Sequence, residues 1–96
     1  MNREEIDQLS KAFKALSNPN RLKLFLNLIE ESQMNVEEGG CFLGTLIKNL
    51  PVGAPTVSHH IKELVHAGLI RTERSGKQLV CTINKDAVKR LGQIFK

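Results

Sequence analysis

The chain has only two cysteines, Cys41 and Cys81, in 96 residues. That is too few for a disulfide scaffold and suits a reducing compartment. No apolar run approaches membrane-spanning length, and the opening Met1-Asn2-Arg3-Glu4-Glu5 lacks the form of a signal peptide. A cytoplasmic, soluble protein is therefore expected, with no membrane partner. No repeat, low-complexity segment or linker is present, so the length implies one domain with a modest core, residues 1–96. Paired acids, a nucleophile with a nearby base and a phosphate-binding loop are all missing, which argues against an enzyme.

Acidic residues are scarce in the second half. Residues 1–53 carry six Lys/Arg against seven Asp/Glu, a balance of −1. Residues 54–96 carry eight against Glu63, Glu73 and Asp86 alone, a balance of +5. The pI of about 9.3 permits an anionic partner, and the location of the excess says where it would bind.

That basic half contains the most informative stretch, residues 55–70. At helical period Val57, Ile61 and Leu64 form one apolar stripe, flanked by His60 and Val65, while Ser58, His59, Lys62 and His66 point the other way. Gly53 serves as N-cap, Pro55 fits the first turn and Gly68 supplies the stop. Residues 69–74, a turn at Ser75-Gly76, and residues 77–84 read as a basic hairpin. Leu79, Cys81 and Ile83 share one of its faces, and Gln78, Val80 and Thr82 the other. A helix with a small, polar, partly basic outer face, followed at once by a basic hairpin, is what a winged helix-turn-helix offers to duplex DNA.

The remaining elements are mostly helical. A first helix starts at the N-cap Asn2, with Ile6, Leu9, Phe13 and Leu16 as its stripe. Asn18-Pro19 restarts the chain into a second helix ending near Glu31, apolar at Leu22, Leu24, Phe25, Leu26, Leu28 and Ile29 and so expected to be central. A polar loop, residues 32–40, contains the acids Glu37 and Glu38. A third helix spans about residues 41–50, with Phe42 or Leu43, Leu46, Ile47 and Leu50 inward, and a short turn at 51–53 leads into the helix above. A last helix, residues 85–96, has Ala87, Val88, Leu91, Ile94 and Phe95 on one side with no evident use inside a monomer. The fold class is mostly α with a β-hairpin wing, in the order α-α-α-α-β-β-α.

Two runs resemble a known family. Ala15-Leu16-Ser17-Asn18-Pro19-Asn20-Arg21-Leu22-Lys23-Leu24 is similar to the signature opening ArsR/SmtB-type winged-helix regulators. Pro55-Thr56-Val57-Ser58-His59-His60-Ile61, then Leu64 and Ala67-Gly68-Leu69-Ile70, resembles their recognition helix. The two motifs stand in the right order and cover roughly residues 12–84. The resemblance implies a homodimer paired through its first and last helices, and operator binding as a repressor that a metal or other signal releases. It maps base contacts onto Thr56, Ser58, His59 and Lys62. As a wing, Arg71, Arg74 and Lys77 would meet phosphates or the minor groove, a reading that the charge asymmetry favours over a merely soluble edge hairpin.

Neither metal pattern of that family is present. The Cys-x-Cys positions of the arsenic-type members fall on Phe42 and Gly44, and Asp86-Ala87-Val88 lacks the histidine of the zinc type. No metal site and no cofactor is expected. His60 reads as a buried, hydrogen-bonded histidine, and His59 and His66 are too far apart to share an ion. Cys41, after two glycines at an expected helix N-terminus, is the candidate for a redox switch; a Cys41–Cys81 disulfide has less support. The rival functions are a winged-helix module for protein–protein assembly and, more remotely, an enzyme.

Overall fold

The computed structural model describes residues 1–34, 40–47 and 51–95. Its elements run α1 (Arg3–Leu16), α2 (Pro19–Met34), β1 (Gly40–Phe42), α3 (Leu43–Leu46), α4 (Ala54–His66), β2 (Ile70–Ser75), β3 (Gln78–Ile83) and α5 (Lys85–Ile94). Helices dominate, and β2 and β3 form an antiparallel hairpin.

Local chemistry sets the helix starts. The Asn2 side chain accepts from the Glu5 amide at 2.8 Å, with Glu4 and Glu5 at the positive end of α1. Asn18 accepts from the Arg21 amide at 3.0 Å, and Pro19 occupies the first position of α2, where its missing N–H costs nothing. Both starts match the sequence. The second helix continues three residues past Glu31, to Met34.

The buried core draws on almost every element: Ala12 and Ala15 from α1, Leu24, Phe25 and Leu28 from α2, Leu46 from α3, and Val57, Ile61 and Leu64 from α4. Leu69, Ile70, Cys81 and Ile83 complete it. Along α1 the side chains that disappear into the core are the alanines, whereas Ile6 and Phe13 remain 47% and 43% exposed. α1 packs on α2 and α4; of its apolar stripe, Leu16 packs partly against the core while Ile6 and Phe13 face outward. Leu26, on the helix expected to be buried all round, is likewise exposed.

The sequence also missed a strand. Residues 40–42 pair antiparallel with β3, Gly40 opposite Thr82, Cys41 opposite Cys81 and Phe42 opposite Val80, so the sheet has the order β1-β3-β2. The third helix is correspondingly short, a single turn from Leu43; the expected continuation to Leu50 lies outside the described residues from Lys48. Cys41 is therefore a strand residue, and the helix-dipole argument for an acidified thiol there loses its basis. The expected loop acids Glu37 and Glu38 also lie outside the described residues. The hairpin turn is displaced by one residue: Ser75 pairs with Gln78, leaving Gly76-Lys77 as the loop, with Gly76 at φ 63°.

Asn84 joins three elements. Its side-chain oxygen accepts from the Ala87 amide at 3.3 Å and caps α5, and its side-chain nitrogen donates to the Gly68 carbonyl at 2.8 Å. Its own amide donates to Leu69 O at 2.9 Å. Asn84→Ala removes the cap and leaves the Gly68 carbonyl without this donor. We expect a loss of roughly 1–3 kcal/mol in urea unfolding, against about 1 kcal/mol for Asn2→Ala at the outer end of α1.

Candidate nucleic-acid interface

α4 begins with Gly53 in extended conformation as N-cap; the Val57 amide donates to Gly53 O, and Pro55 lies in the first turn. Val57, His60, Ile61 and Leu64 are buried, and Ser58, His59, Lys62 and His66 are exposed. At 3.6 residues per turn these four share the outward face. Thr56 is exposed too, but lies on the flank above His60 rather than among them. The helix ends at Ala67, and Gly68 takes φ 74°, a left-handed value that glycine adopts without strain. The Leu69 amide then donates to Leu64 O, and the chain turns directly into β2.

The hairpin carries its basic residues on both faces. Arg71 lies opposite Thr82, Arg74 opposite Leu79, and Lys77 in the two-residue loop. All three are exposed. Because strand side chains alternate, Arg71 and Arg74 project from opposite faces of β2, and Glu73 shares the face of Arg71. The fold thus places one outward helix face, with α4 packed against β2, beside a ribbon whose outer part is cationic at its tip and on both sides.

The sequence reading missed Arg21. Its Nη1 donates to Ala15 O at 3.2 Å and its Nε donates to His60 Nδ1 at 3.3 Å, so one guanidinium ties the end of α1 and the start of α2 to the buried side of α4. His60 is 4% exposed, buried and hydrogen-bonded as expected. With Nδ1 accepting, its proton sits on Nε2, which has no hydrogen-bond partner among the described residues. Burial, then the charges of Arg21 and His59, hold its pKa below the ordinary value of 6.5. Among the described residues, no group of three or more His, Cys, Asp or Glu is placed to hold a metal ion, and no helix is long and apolar enough to cross a membrane.

A helix pinned by one face, bare on the other and flanked by a basic two-stranded ribbon is the architecture of a winged helix-turn-helix DNA-binding domain. Comparison with known proteins agrees. A family model described as a helix-turn-helix domain matches residues 16–73. The HTH-type transcriptional repressor SmtB of Mycobacterium tuberculosis is 37% identical over 78 residues, 81% of this chain and 52% of the relative, so the chain spans about half of that protein's length. The crystal structure of the transcriptional repressor BigR from Xylella fastidiosa matches with a TM-score of 0.66 at 28% identity, covering 100% of this chain and 98% of that one. The homodimeric winged helix-turn-helix DNA-binding domain Mb0332 of Mycobacterium bovis shares the fold, with a TM-score of 0.72 at 22% identity over 98% of this chain and 82% of that one. The chain belongs to the ArsR/SmtB family of helix-turn-helix transcriptional regulators, a family of regulators rather than enzymes.

The lowered pKa of His60 gives stability a defined pH dependence. A neutral His60 accepts from Arg21; a protonated one would present a second cation to it. The unfolded chain binds this proton more readily, so the contribution is complete above pH 6.5 and is lost as pH falls toward the folded-state value. Urea midpoints should therefore drop more steeply below pH 6.5 for the wild type than for His60→Gln, which keeps an acceptor but does not titrate. Parallel curves for the two proteins would contradict the assignment.

Proposed function

We propose that this chain is a dimeric, sequence-specific DNA-binding repressor in which α4 reads the major groove and the β2–β3 wing holds the flanking backbone. The observation that carries the reading is the division of α4: one face buried, the other presenting Ser58, His59 and Lys62 to solvent beside the exposed Arg71, Arg74 and Lys77. Thr56, at the start of the helix, is assigned to the same interface from its flank. Hydroxyls and mobile nitrogen donors suit base edges, and the flexible cations of the wing suit phosphates. The relatives named as repressors support the sign of regulation. Both metal patterns of the family are missing from the sequence, so neither of those two sites would release the operator.

The two roles separate experimentally. Lys62→Ala and His59→Ala should weaken binding to the selected operator more than to random duplex, each well-made base contact being worth about 1–3 kcal/mol. Arg74→Ala and Lys77→Ala should weaken both duplexes alike and flatten the salt dependence of binding by about one phosphate contact each. Equal losses on both duplexes for all four variants, measured by fluorescence anisotropy across a salt series, would remove base reading from α4. Absence of any salt-dependent duplex binding would favour the protein–protein assembly module instead.

A second copy is proposed to pack on the apolar surface shared by α1 and α5. α5 buries none of its residues completely, and Ile94 and Phe95 are 37% and 76% exposed. Phe13 of α1 meets Phe95 edge-on at 5.9 Å, and both rings still face solvent. The Mycobacterium bovis domain of the same fold is homodimeric. In a two-fold dimer the recognition helices would read half-sites about one DNA turn, roughly 34 Å, apart. Sedimentation should show a dimer at micromolar concentration for the wild type and a shift toward monomer for Phe13→Glu, with operator affinity falling alongside. A wild type that stays monomeric overturns this part of the reading.

A further inference from the structure

We propose that the cavity between α1, the end of α4 and α5 binds a small organic anion, a carboxylate on an apolar body, and that its occupancy weakens operator binding. The cavity measures about 370 Å³, within the roughly 300–1,000 Å³ of small-molecule sites. Its chemistry is divided. Ala12, Leu69 and Leu91 give it an apolar floor, with Ala12 and Leu69 buried and Leu91 partly so. Gln8, Lys11, His66 and Arg90 also line it, and all four reach solvent.

The charge is of one sign. Lys11 approaches from α1 and Arg90 from α5, and among the described residues no Asp or Glu lines the cavity. Glu63 belongs to an adjoining cleft of about 190 Å³, where Lys14 accompanies it. Arg90 donates to Gln8 at 3.0 Å, which holds the guanidinium against α1 and uses one of its several N–H donors. A planar guanidinium matches a carboxylate edge to edge, and Lys11 adds a point charge. A carboxylate bound by both directs its apolar remainder onto the floor. A phosphate of the duplex would meet the cations but leave that floor empty, which favours a small molecule over the DNA backbone.

The site is separate from the surface proposed for the second copy. At about 3.6 residues per turn, Gln8 and Lys11 lie across α1 from Ile6 and Phe13. The α1 wall of the cavity is therefore not the face that carries the exposed apolar residues.

The consequence for DNA follows from His66, which belongs both to the cavity and to the outward face of α4. An anion held there places negative charge at the end of the recognition face, where a bound duplex brings its phosphates. It also neutralises Lys11 and Arg90, part of the basic field that attracts the duplex. The anion thus binds free protein better than operator-bound protein, and that difference releases the operator. This half of the proposal rests on the DNA-binding reading.

The test titrates isotope-labelled protein with benzoate and with hexanoate at constant ionic strength, following the backbone amides by NMR. Saturable shifts should centre on Ala67, Gly68, Leu69 and Ala87. Benzamide, a ring without the charge, and inorganic phosphate, a charge without the apolar body, should each bind at least about fivefold more weakly than benzoate. Lys11→Met and Arg90→Gln, both at exposed positions, should each weaken benzoate roughly three- to tenfold. Ala87→Leu, which fills the cavity and keeps both cations, should abolish binding. No saturable shift with either carboxylate overturns the site, and so does phosphate binding as tightly as benzoate or indifference to the two charge variants. In the second arm, saturating benzoate should lower operator affinity about fivefold relative to chloride at equal ionic strength, with no response in Ala87→Leu. Carboxylate binding with unchanged operator affinity overturns the regulatory half. Duplex binding that falls in Lys11→Met and Arg90→Gln, with no carboxylate binding by the wild type, gives these cations to the DNA backbone and overturns the site. A protein that binds no duplex overturns the DNA reading, while the amide shifts still decide the site.

Discussion

The burial of one side of α4 is the constraint on which the rest of the molecule depends. A helix that reads DNA must keep half its circumference free, so all its rigidity has to come from the other half. Val57, Ile61 and Leu64 supply the apolar part of that attachment, within a core that α2 anchors through Leu24, Phe25 and Leu28. Such packing resists separation but only weakly resists rotation about the helix axis, since neighbouring side chains on the stripe are similar in chemistry. The hydrogen bond from Arg21 to His60 is directional and comes from outside the α4 segment. It fixes which side chains face outward, and it does so only while His60 is neutral.

The same attachment explains the composition of α1. Large residues at the contact would hold the helices apart, so Ala12 and Ala15 occupy it, while Ile6 and Phe13 turn away. The result is a protein whose first helix is apolar on two sides for different reasons, one facing its own core and the other facing out. α5 adds to the outer surface: Arg90 donates to Gln8 at 3.0 Å and Phe95 meets Phe13, while Asn84 anchors the start of α5 to the end of α4. A partner seated on α1 and α5 would sit one asparagine away from Gly68, just past the end of α4.

What could be read from the sequence was local. The caps at Asn2, Asn18 and Gly53, the stop at Gly68, the division of α4 into a buried and an open face, and the pairing of the wing all depend on residues within a few positions of one another. What escaped was long-range. Gly40-Cys41-Phe42 is too short to show an alternation, and its partner strand lies about forty residues further on. Nothing near Arg21 in the sequence hints at His60, thirty-nine positions away. The burial of Ala12 and Ala15 was not read because hydrophobicity ranks Ile6 and Phe13 above alanine. The opposite facing of Arg71 and Arg74 was, by contrast, available from their odd spacing alone.

The strand order has a consequence for biosynthesis. β3 is the middle strand, yet it is the last of the three to be made. While the chain leaves the ribosome, α1 and α2 can make their mutual contacts early, but β1 has no strand partner until the 78–83 segment emerges. Closing that pairing brings together residues about forty positions apart, a costlier closure than that of the hairpin, whose turn is two residues long. The sheet is thus completed at its oldest strand, and a nascent chain interrupted before Gln78 would carry an unpaired Gly40–Phe42 segment directly ahead of the helix-turn-helix.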